Sequence, residues 1–157
     1  MQTSDPVTIC REELDSPVAP ALIEALNAEL SARYPEPGAN HFDLESHEVT
    51  HRSGAFLLAY VDGRPAGCAA VRRIGADVAE VKRMYVRPDA RTRGLGTALL
   101  AQLEAIAREL GAARLVLETG ERQAEALALY RRAGFAPIDR FGCYADSPLS
   151  LCLGKPL

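Results

Sequence analysis

Four short apolar or alternating runs in the first 86 residues are typical of β-strands. They are Val7 to Cys10, Phe56 to Val61, Ala66 to Arg73 and Val78 to Val86. Asp62-Gly63 is a two-residue hairpin signal between the second and third runs, and Gly75 to Asp77 is a second turn. The middle of the chain is therefore predicted to be an antiparallel meander.

Helical spacing marks three other segments. Leucines at positions 22, 26 and 30 predict a helix that starts near Ser16-Pro17 and ends at Tyr34 to Gly38. A longer amphipathic helix is predicted where an apolar residue recurs every three or four positions, with Gly111 as its stop. Its apolar positions are Leu95, Leu99, Leu103, Ile106 and Leu110. Ala126 to Ala133 is predicted to be the third helix.

Three further strands complete the pattern. Arg114 to Glu118 is a short buried run, and Phe135 to Tyr144 and Leu149 to Leu153 are predicted to be the last two strands. A meander followed by strand, helix, strand, helix and strand predicts an α/β fold with one mixed, mainly antiparallel central sheet and flanking helices. At 157 residues, we expect one domain over residues 1–157.

Composition narrows the classes of protein. Hydrophobic residues make up 48% and charged residues 25%, as in soluble globular proteins, and the net charge of -3 argues against a nucleic-acid partner. No apolar run approaches the ~20 residues of a membrane helix, and no signal peptide is visible. The four cysteines form no C-x-x-C pair, which predicts a reducing, cytoplasmic location and no thiolate metal site.

The loop from Arg91 to Gly96 has the chemistry of a phosphate site. It follows a predicted strand and precedes a helix, whose first backbone amides have no intrahelical partner and whose dipole is positive at that end. Glycines at 94 and 96 would allow close approach, and arginines at 91 and 93 can donate to phosphate. The loop lacks the Gly-Lys-Ser/Thr ending of a Walker loop and the G-x-G-x-x-G order of a Rossmann fold. A surface turn with two solvated arginines is the alternative.

The sequence resembles the GNAT superfamily of acetyl-CoA-dependent N-acetyltransferases. The family signature, a strand, then Q/R-x-x-G-x-G/A, then a helix, is matched by Val81 to Pro88 followed by Arg91 to Gly96. A second family element, a helix that carries a tyrosine and ends in Gly-Phe, is matched by Ala126 to Phe135. The order of elements resembles the family from about Val7 to Lys155.

The resemblance implies a set of residues that bind acetyl-CoA. The strand end would pair with the pantetheine arm in the gap between two splayed strands, the loop would hold the pyrophosphate, and the helix from position 123 would flank the pantetheine. The family often has asparagine where this chain has glutamine 123. The predicted set is Met84, Tyr85, Val86, Arg91, Thr92, Arg93, Gly94, Leu95, Gly96, Thr97 and Gln123.

Two residues are predicted to be catalytic. Tyr130 could protonate or hydrogen-bond the leaving coenzyme A thiolate, or it could simply pack between helix and sheet. Glu80 is the candidate base, because an alkylammonium with a pKa of about 10 must lose a proton before it attacks. It could instead pair with Lys82 or with a cross-strand arginine such as Arg72. Glu118 could bind a substrate ammonium, and a solvated strand end is the favoured interpretation.

The histidines leave one alternative open. His47, Glu48 and His51 match the letters of the zinc motif H-E-x-x-H, but Val49-Thr50 disfavours a helix there. We expect no metal and assign this segment to the acceptor side, where His41 would also lie.

We predict acetyl transfer to a primary amine, most simply of a small molecule, by direct attack in a ternary complex. A protein acceptor, a homodimer and a non-catalytic acyl-CoA-binding module stay open.

Overall fold

The computed structural model describes residues 7–41, 44–50, 52–91 and 93–157. Seven strands and three α-helices follow one another along these residues in the predicted order. The strands are β1 (Val7–Glu12), β2 (Gly54–Val61), β3 (Arg64–Arg73), β4 (Val78–Val86), β5 (Arg114–Thr119), β6 (Ala136–Ile138) and β7 (Leu151–Pro156). The helices are α1 (Ala19–Arg33), α2 (Leu95–Glu109) and α3 (Ala124–Arg132), and short 3-10 helices lie at Ser46–Val49, Pro88–Ala90 and Gly142–Tyr144.

One mixed sheet runs through the molecule in the order β1-β2-β3-β4-β5-β7-β6. Every neighbouring pair is antiparallel except β4 and β5, which are parallel. The predicted fold class, a mixed and mainly antiparallel sheet with flanking helices, is confirmed.

Apolar side chains fill both faces of the sheet. On one face, α2 and α3 bury Leu99, Leu103 and Leu127 against the strands. On the other face, α1 buries Leu22 and Leu26 against a second cluster from β2 to β4. β2 is apolar at nearly every position because its successive side chains enter opposite clusters.

The predicted strand from Phe135 to Tyr144 is wrong over most of its length. β6 ends at Ile138, and the chain turns through Gly142, with φ 54°, into a 3-10 helix. Arg140 fixes this excursion by donating from its guanidinium to the carbonyls of Ser150 and Pro148, both at 3.0 Å. The segment therefore becomes a loop that covers the sheet beside β5.

Candidate active site

The parallel strands β4 and β5 separate halfway along their length. Their register runs from Val78 opposite Arg114 to Val81 opposite Leu117 and stops there. Next in β4 comes a β-bulge, in which Arg83 and Met84 together oppose one residue of β3. Arg83 has φ 57°, a conformation that a side chain of this size rarely adopts. The bulge redirects the strand and opens the gap that the resemblance implied.

One cavity, which we name the donor cleft, occupies one side of this gap. Its walls are the end of β4, the start of α2, the start of α3 and one face of α1. The lining residues are Leu26, Glu29, Arg33, Met84, Tyr85, Val86, Ala90, Arg91, Gly94, Leu95, Gly96, Thr97, Gln123, Glu125, Ala126, Ala128, Leu129 and Arg132. Nine of the predicted cofactor-binding residues therefore lie together.

Two predicted residues are not placed in the donor cleft. Thr92 lies outside the described residues. Arg93 is exposed and lines a separate depression with Arg64, Arg87 and Asp89. The two loop arginines therefore face different surroundings, and only Arg91 reaches the cleft.

The two loop glycines have different physical roles. Gly94 precedes α2 with φ 78°, in the left-handed region, and a Cβ there would meet nothing within 4 Å. A Cβ on Gly96 would lie 2.8 Å from Cδ2 of Leu129 in α3. Gly94 thus leaves the uncapped amides of α2 approachable, whereas Gly96 lets α3 pack tightly against α2. Close approach of a ligand at both glycines stays a prediction.

Arg91 is held by three neighbours at the mouth of the cleft. Its Nε donates to the carbonyl of Val86 at 2.8 Å, and its Nη2 lies 2.8 Å from Oε1 of Glu29 in α1. The guanidinium also lies 5.8 Å from the ring centroid of Tyr85. Arg91 therefore joins α1 to the end of β4, and Glu29 places a negative charge beside the predicted phosphate site.

A second cavity, which we name the acceptor cavity, adjoins the donor cleft. The two share Leu26, Met84 and Gln123 in their walls. The remaining lining residues of the acceptor cavity are Leu30, Tyr34, Ala39, Asn40, His41, Val81, Lys82, Arg83, Glu118, Thr119, Gly120, Tyr130, Tyr144 and Leu149. A ligand that crosses from one cavity to the other passes Met84 and Gln123.

Tyr130 lies in the wall of the acceptor cavity with only 6% of its surface exposed. Its ring packs edge to face on Phe135 at 5.8 Å between centroids. Burial, and secondarily the charge of Glu118, raise the pKa of this phenol. Tyr130 therefore keeps its proton and can donate a hydrogen bond at neutral pH.

Glu80, the predicted base, is buried behind the cavity with 1% exposure and is not among the lining residues. Its Oε1 accepts from Nε of Arg72 at 2.9 Å, and its Oε2 accepts from the hydroxyl of Tyr144 at 2.7 Å. The alternative that Glu80 pairs with the cross-strand arginine thus matches the geometry. A catalytic role for Glu80 stays a prediction.

Glu118, at the end of β5, is the carboxylate that does line the acceptor cavity. It is half-buried, and Ser150 donates to its Oε2 at 2.6 Å, so it is not the solvated strand end that we favoured. Burial is the main cause that raises the pKa of Glu118 to about 7, and the charge of Glu80 raises it further. The hydrogen bond from Ser150 and the charge of Lys82 act in the opposite direction. In the sequence, only the position of Glu118 at the end of a buried strand, across the predicted gap from β4, indicated that it could contact a substrate.

The described part of the histidine segment, residues 44–50, contains a 3-10 helix at Ser46–Val49 and not the α-helix on which the zinc motif lies. His47 is exposed, and Glu48 pairs with Nη1 of Arg72 at 2.8 Å, while His51 lies outside the described residues. No group of three or more potential metal ligands occurs among the described residues. His41 instead packs edge to face on Tyr144 at 4.9 Å in the acceptor cavity.

The helices of the described chain include none that is both long and apolar enough to cross a membrane.

Comparison with known proteins decides the family. The profile of the acetyltransferase (GNAT) family matches residues 19–135, from α1 through the splayed strands to the Gly-Phe after α3. The chain belongs to the GNAT family of acetyltransferases. The predicted resemblance and the predicted enzyme class, an acetyl-CoA-dependent acetyltransferase, are therefore confirmed.

Individual relatives agree with this assignment. The chain is 40% identical over 152 residues to an IAA acetyltransferase of Azospirillum brasilense, covering 96% of this chain and 98% of the relative. A solved structure from Klebsiella pneumoniae, named for the acyl-CoA N-acyltransferases, has a TM-score of 0.83 at 33% identity and covers 96% and 97% of the two chains. A GNAT acetyltransferase of Elizabethkingia anophelis, solved with acetyl-CoA bound, has the same fold, with a TM-score of 0.69 at 21% identity over 98% and 99%. The chain spans less than half the length of the mycothiol acetyltransferases that it also matches.

Proposed function

We propose that the enzyme transfers the acetyl group of acetyl-CoA directly to a primary amine of a small molecule while both substrates are bound. The observation that carries this proposal is the meeting of the two cavities at Met84 and Gln123, with Glu118 and Tyr130 in the acceptor wall. Acetyl-CoA would place its pyrophosphate at the uncapped start of α2 beside Gly94, its pantetheine along β4, and its thioester at the junction.

Glu118 acts as the general base in this proposal. It takes one proton from the substrate ammonium, and the neutral amine then attacks the thioester carbonyl carbon. The new C–N bond forms, the C–S bond breaks, and Tyr130 donates a hydrogen bond to the departing thiolate. As the tetrahedral intermediate collapses, the second amine proton passes to the thiolate, directly or by way of the Tyr130 hydroxyl, and the products are the acetamide and coenzyme A. Glu118 then releases its proton to solvent.

The surroundings of Glu118 support this role. A base works best when its pKa lies near the working pH, and the pKa of Glu118 is about 7. The groups that influence or face it are Lys82 and Glu80 from β4, Ser150 and Cys152 at the start of β7, Tyr130 from α3 and Tyr144 from the covering loop. Glu80 has no access to the cavity, and both of its carboxylate oxygens already accept hydrogen bonds.

An amine panel tests the proposed function. Purified enzyme is incubated with acetyl-CoA and amino acids, polyamines, aminoglycosides or short peptides with free N-termini, and thiol release is followed. We expect release with at least one small amine and intersecting double-reciprocal lines when both substrates are varied. Parallel lines would contradict direct attack. Thiol release with peptides alone would show that the acceptor is a protein and not a small molecule.

We also propose that the protein works in the reducing cytoplasm. The cysteines at positions 10, 68 and 152 are not joined in disulfides, which supports this location.

A further inference from the structure

We propose that Glu80 is a positioning residue that ties together two outer segments of the chain. One is the loop with Tyr144, which lines the acceptor cavity, and the other is the 3-10 helix Ser46–Val49, which follows the cavity residues Asn40 and His41. This inference rests on the proposed acetyl transfer for its kinetic consequences. Its structural content stands separately, because it concerns a chain of buried hydrogen bonds from Glu48 through Arg72 and Glu80 to Tyr144.

The centre of this chain is the pair formed by Arg72 on β3 and Glu80 on β4. These residues are directly opposite in the antiparallel register, and both are buried, with 8% and 1% exposure. Both carboxylate oxygens of Glu80 accept hydrogen bonds, Oε1 from Arg72 and Oε2 from Tyr144. Charge-assisted hydrogen bonds in such a buried place hold their partners firmly.

The first outer segment is fixed through Glu48. Oε2 of Glu48 accepts from Nη1 of Arg72 at 2.8 Å, on the side of the guanidinium away from Glu80. Glu48 also accepts from the backbone amide of Glu45 at 3.0 Å, which closes the start of the 3-10 helix Ser46–Val49. This helix follows the cavity residues Asn40 and His41 along the chain.

The second outer segment is fixed through Tyr144. Its hydroxyl donates to Glu80 and accepts from Nζ of Lys82 at 3.2 Å, while its ring lines the cavity. The edge of His41 packs on this ring, and Nε2 of His41 lies 3.3 Å from Oγ of Ser147. His41 therefore contacts the Tyr144 loop directly, and the 3-10 helix is linked to the same loop through Glu48, Arg72 and Glu80.

Two conservative substitutions break the chain at different points. In Glu80→Gln the side chain keeps one acceptor oxygen, so it cannot accept from both Arg72 and Tyr144, and its amide would face one of the two donors. Arg72 keeps Glu48 as a counterion in this variant, so the protein should fold. Tyr144→Phe keeps the ring and its contacts but removes the link to Glu80.

For a positioning role, both variants should raise the KM for the acceptor roughly tenfold, which corresponds to the loss of one well-placed hydrogen bond. We expect kcat to change less than about threefold. The acidic limb of its pH profile should stay in place in Tyr144→Phe and move to lower pH in Glu80→Gln, because the charge of Glu80 no longer raises the pKa of Glu118, the proposed proton acceptor. Acetyl-CoA affinity should not change. Tyr60→Phe on β2 and Glu109→Gln on α2, both outside the network, are the matched controls.

Hydrogen exchange of the enzyme without substrates provides a readout that does not depend on activity. Peptides covering residues 44–49 and 141–150 should exchange faster in both variants, and those covering α2 should not. Unchanged exchange in both variants would overturn the positioning role even if the amine panel succeeds. Faster exchange in the variants, together with no activity on any amine, would contradict the proposed function but not the positioning role. A loss of kcat of about 100-fold in Glu80→Gln alone, with the acidic limb abolished, would show that Glu80 is the base.

Discussion

The donor cleft and the acceptor cavity are built in different ways although they share a wall. Half of the residues that line the donor cleft come from one continuous stretch, the end of β4 and the start of α2, and the others come from α1 and from the start and body of α3. The acceptor cavity is made of side chains that come from α1, β4, β5, α3 and the loop before β7. A site built like the donor cleft suits a ligand that many related enzymes have in common. A site built like the acceptor cavity can change its substrate specificity through single substitutions.

The proposed chemistry lies on the acceptor side of this comparison, and Glu118→Gln tests that proposal with the largest expected effect. Glutamine keeps the size of the side chain but cannot take a proton, so kcat should fall roughly 100-fold or more. Acetyl-CoA should bind as before, as measured by titration calorimetry. In the wild type the carboxylate is protonated below its pKa and active above it, so the rate should rise with pH through about 7. The same limb persisting in the variant would exclude Glu118 as the base.

Tyr130 lies in the wall of the acceptor cavity, and Tyr130→Phe should have the next largest effect. Phenylalanine retains the packing on Phe135 but removes the hydrogen bond to the leaving thiolate. We expect kcat to fall about 10- to 100-fold, within the range of a lost transition-state hydrogen bond. The KM for acetyl-CoA should change little. Rates with a thioester whose thiol is more acidic should depend less on Tyr130, and an equal loss with both thioesters would favour the packing role.

The contrast between the cavities also explains what the sequence could predict. The glycine-rich loop, the strand before it and the helix after it are contiguous, so eight of the residues that line the donor cleft were predicted together. Glu118, Tyr34 and Tyr144 reach the acceptor cavity from distant segments, and no local pattern relates them. The packing role of Gly96 could not be predicted, because its partner, Leu129, lies 33 positions away in another helix. The strand predicted up to Tyr144 failed because Arg140 binds the carbonyls of residues 148 and 150, a tertiary contact that overrides local propensity.

A matched pair of glycine substitutions can separate the two cavities. A Cβ on Gly120 would overlap the hydroxyl of Tyr34, which lines the acceptor cavity and accepts from the backbone amide of Arg122 at 2.9 Å. Gly120→Ala should therefore displace that ring, cost about 1–3 kcal/mol of unfolding free energy and raise the acceptor KM. Gly96→Ala meets the flexible end of Leu129, so it should cost less and should raise the KM for acetyl-CoA instead. Equal changes in both KM values for either variant would show that the cavities are mechanically coupled.

The smallest expected effect concerns Glu29, an acidic residue in the wall of a cleft that is predicted to bind phosphates. Its Oε1 lies 2.8 Å from Arg91 and 3.6 Å from Arg33, so it partly neutralises two cations that face the cleft. Glu29→Gln should tighten acetyl-CoA binding by about two- to fivefold at low salt, because the pair is partly exposed and worth little by itself. The gain should shrink as salt screens the arginines, and Glu24→Gln on the exposed side of α1 should show none. Weaker binding in Glu29→Gln would mean that Glu29 serves the donor cleft by holding Arg91 against β4. The donor cleft would then depend, like the acceptor cavity, on a side-chain contact between distant segments of the chain.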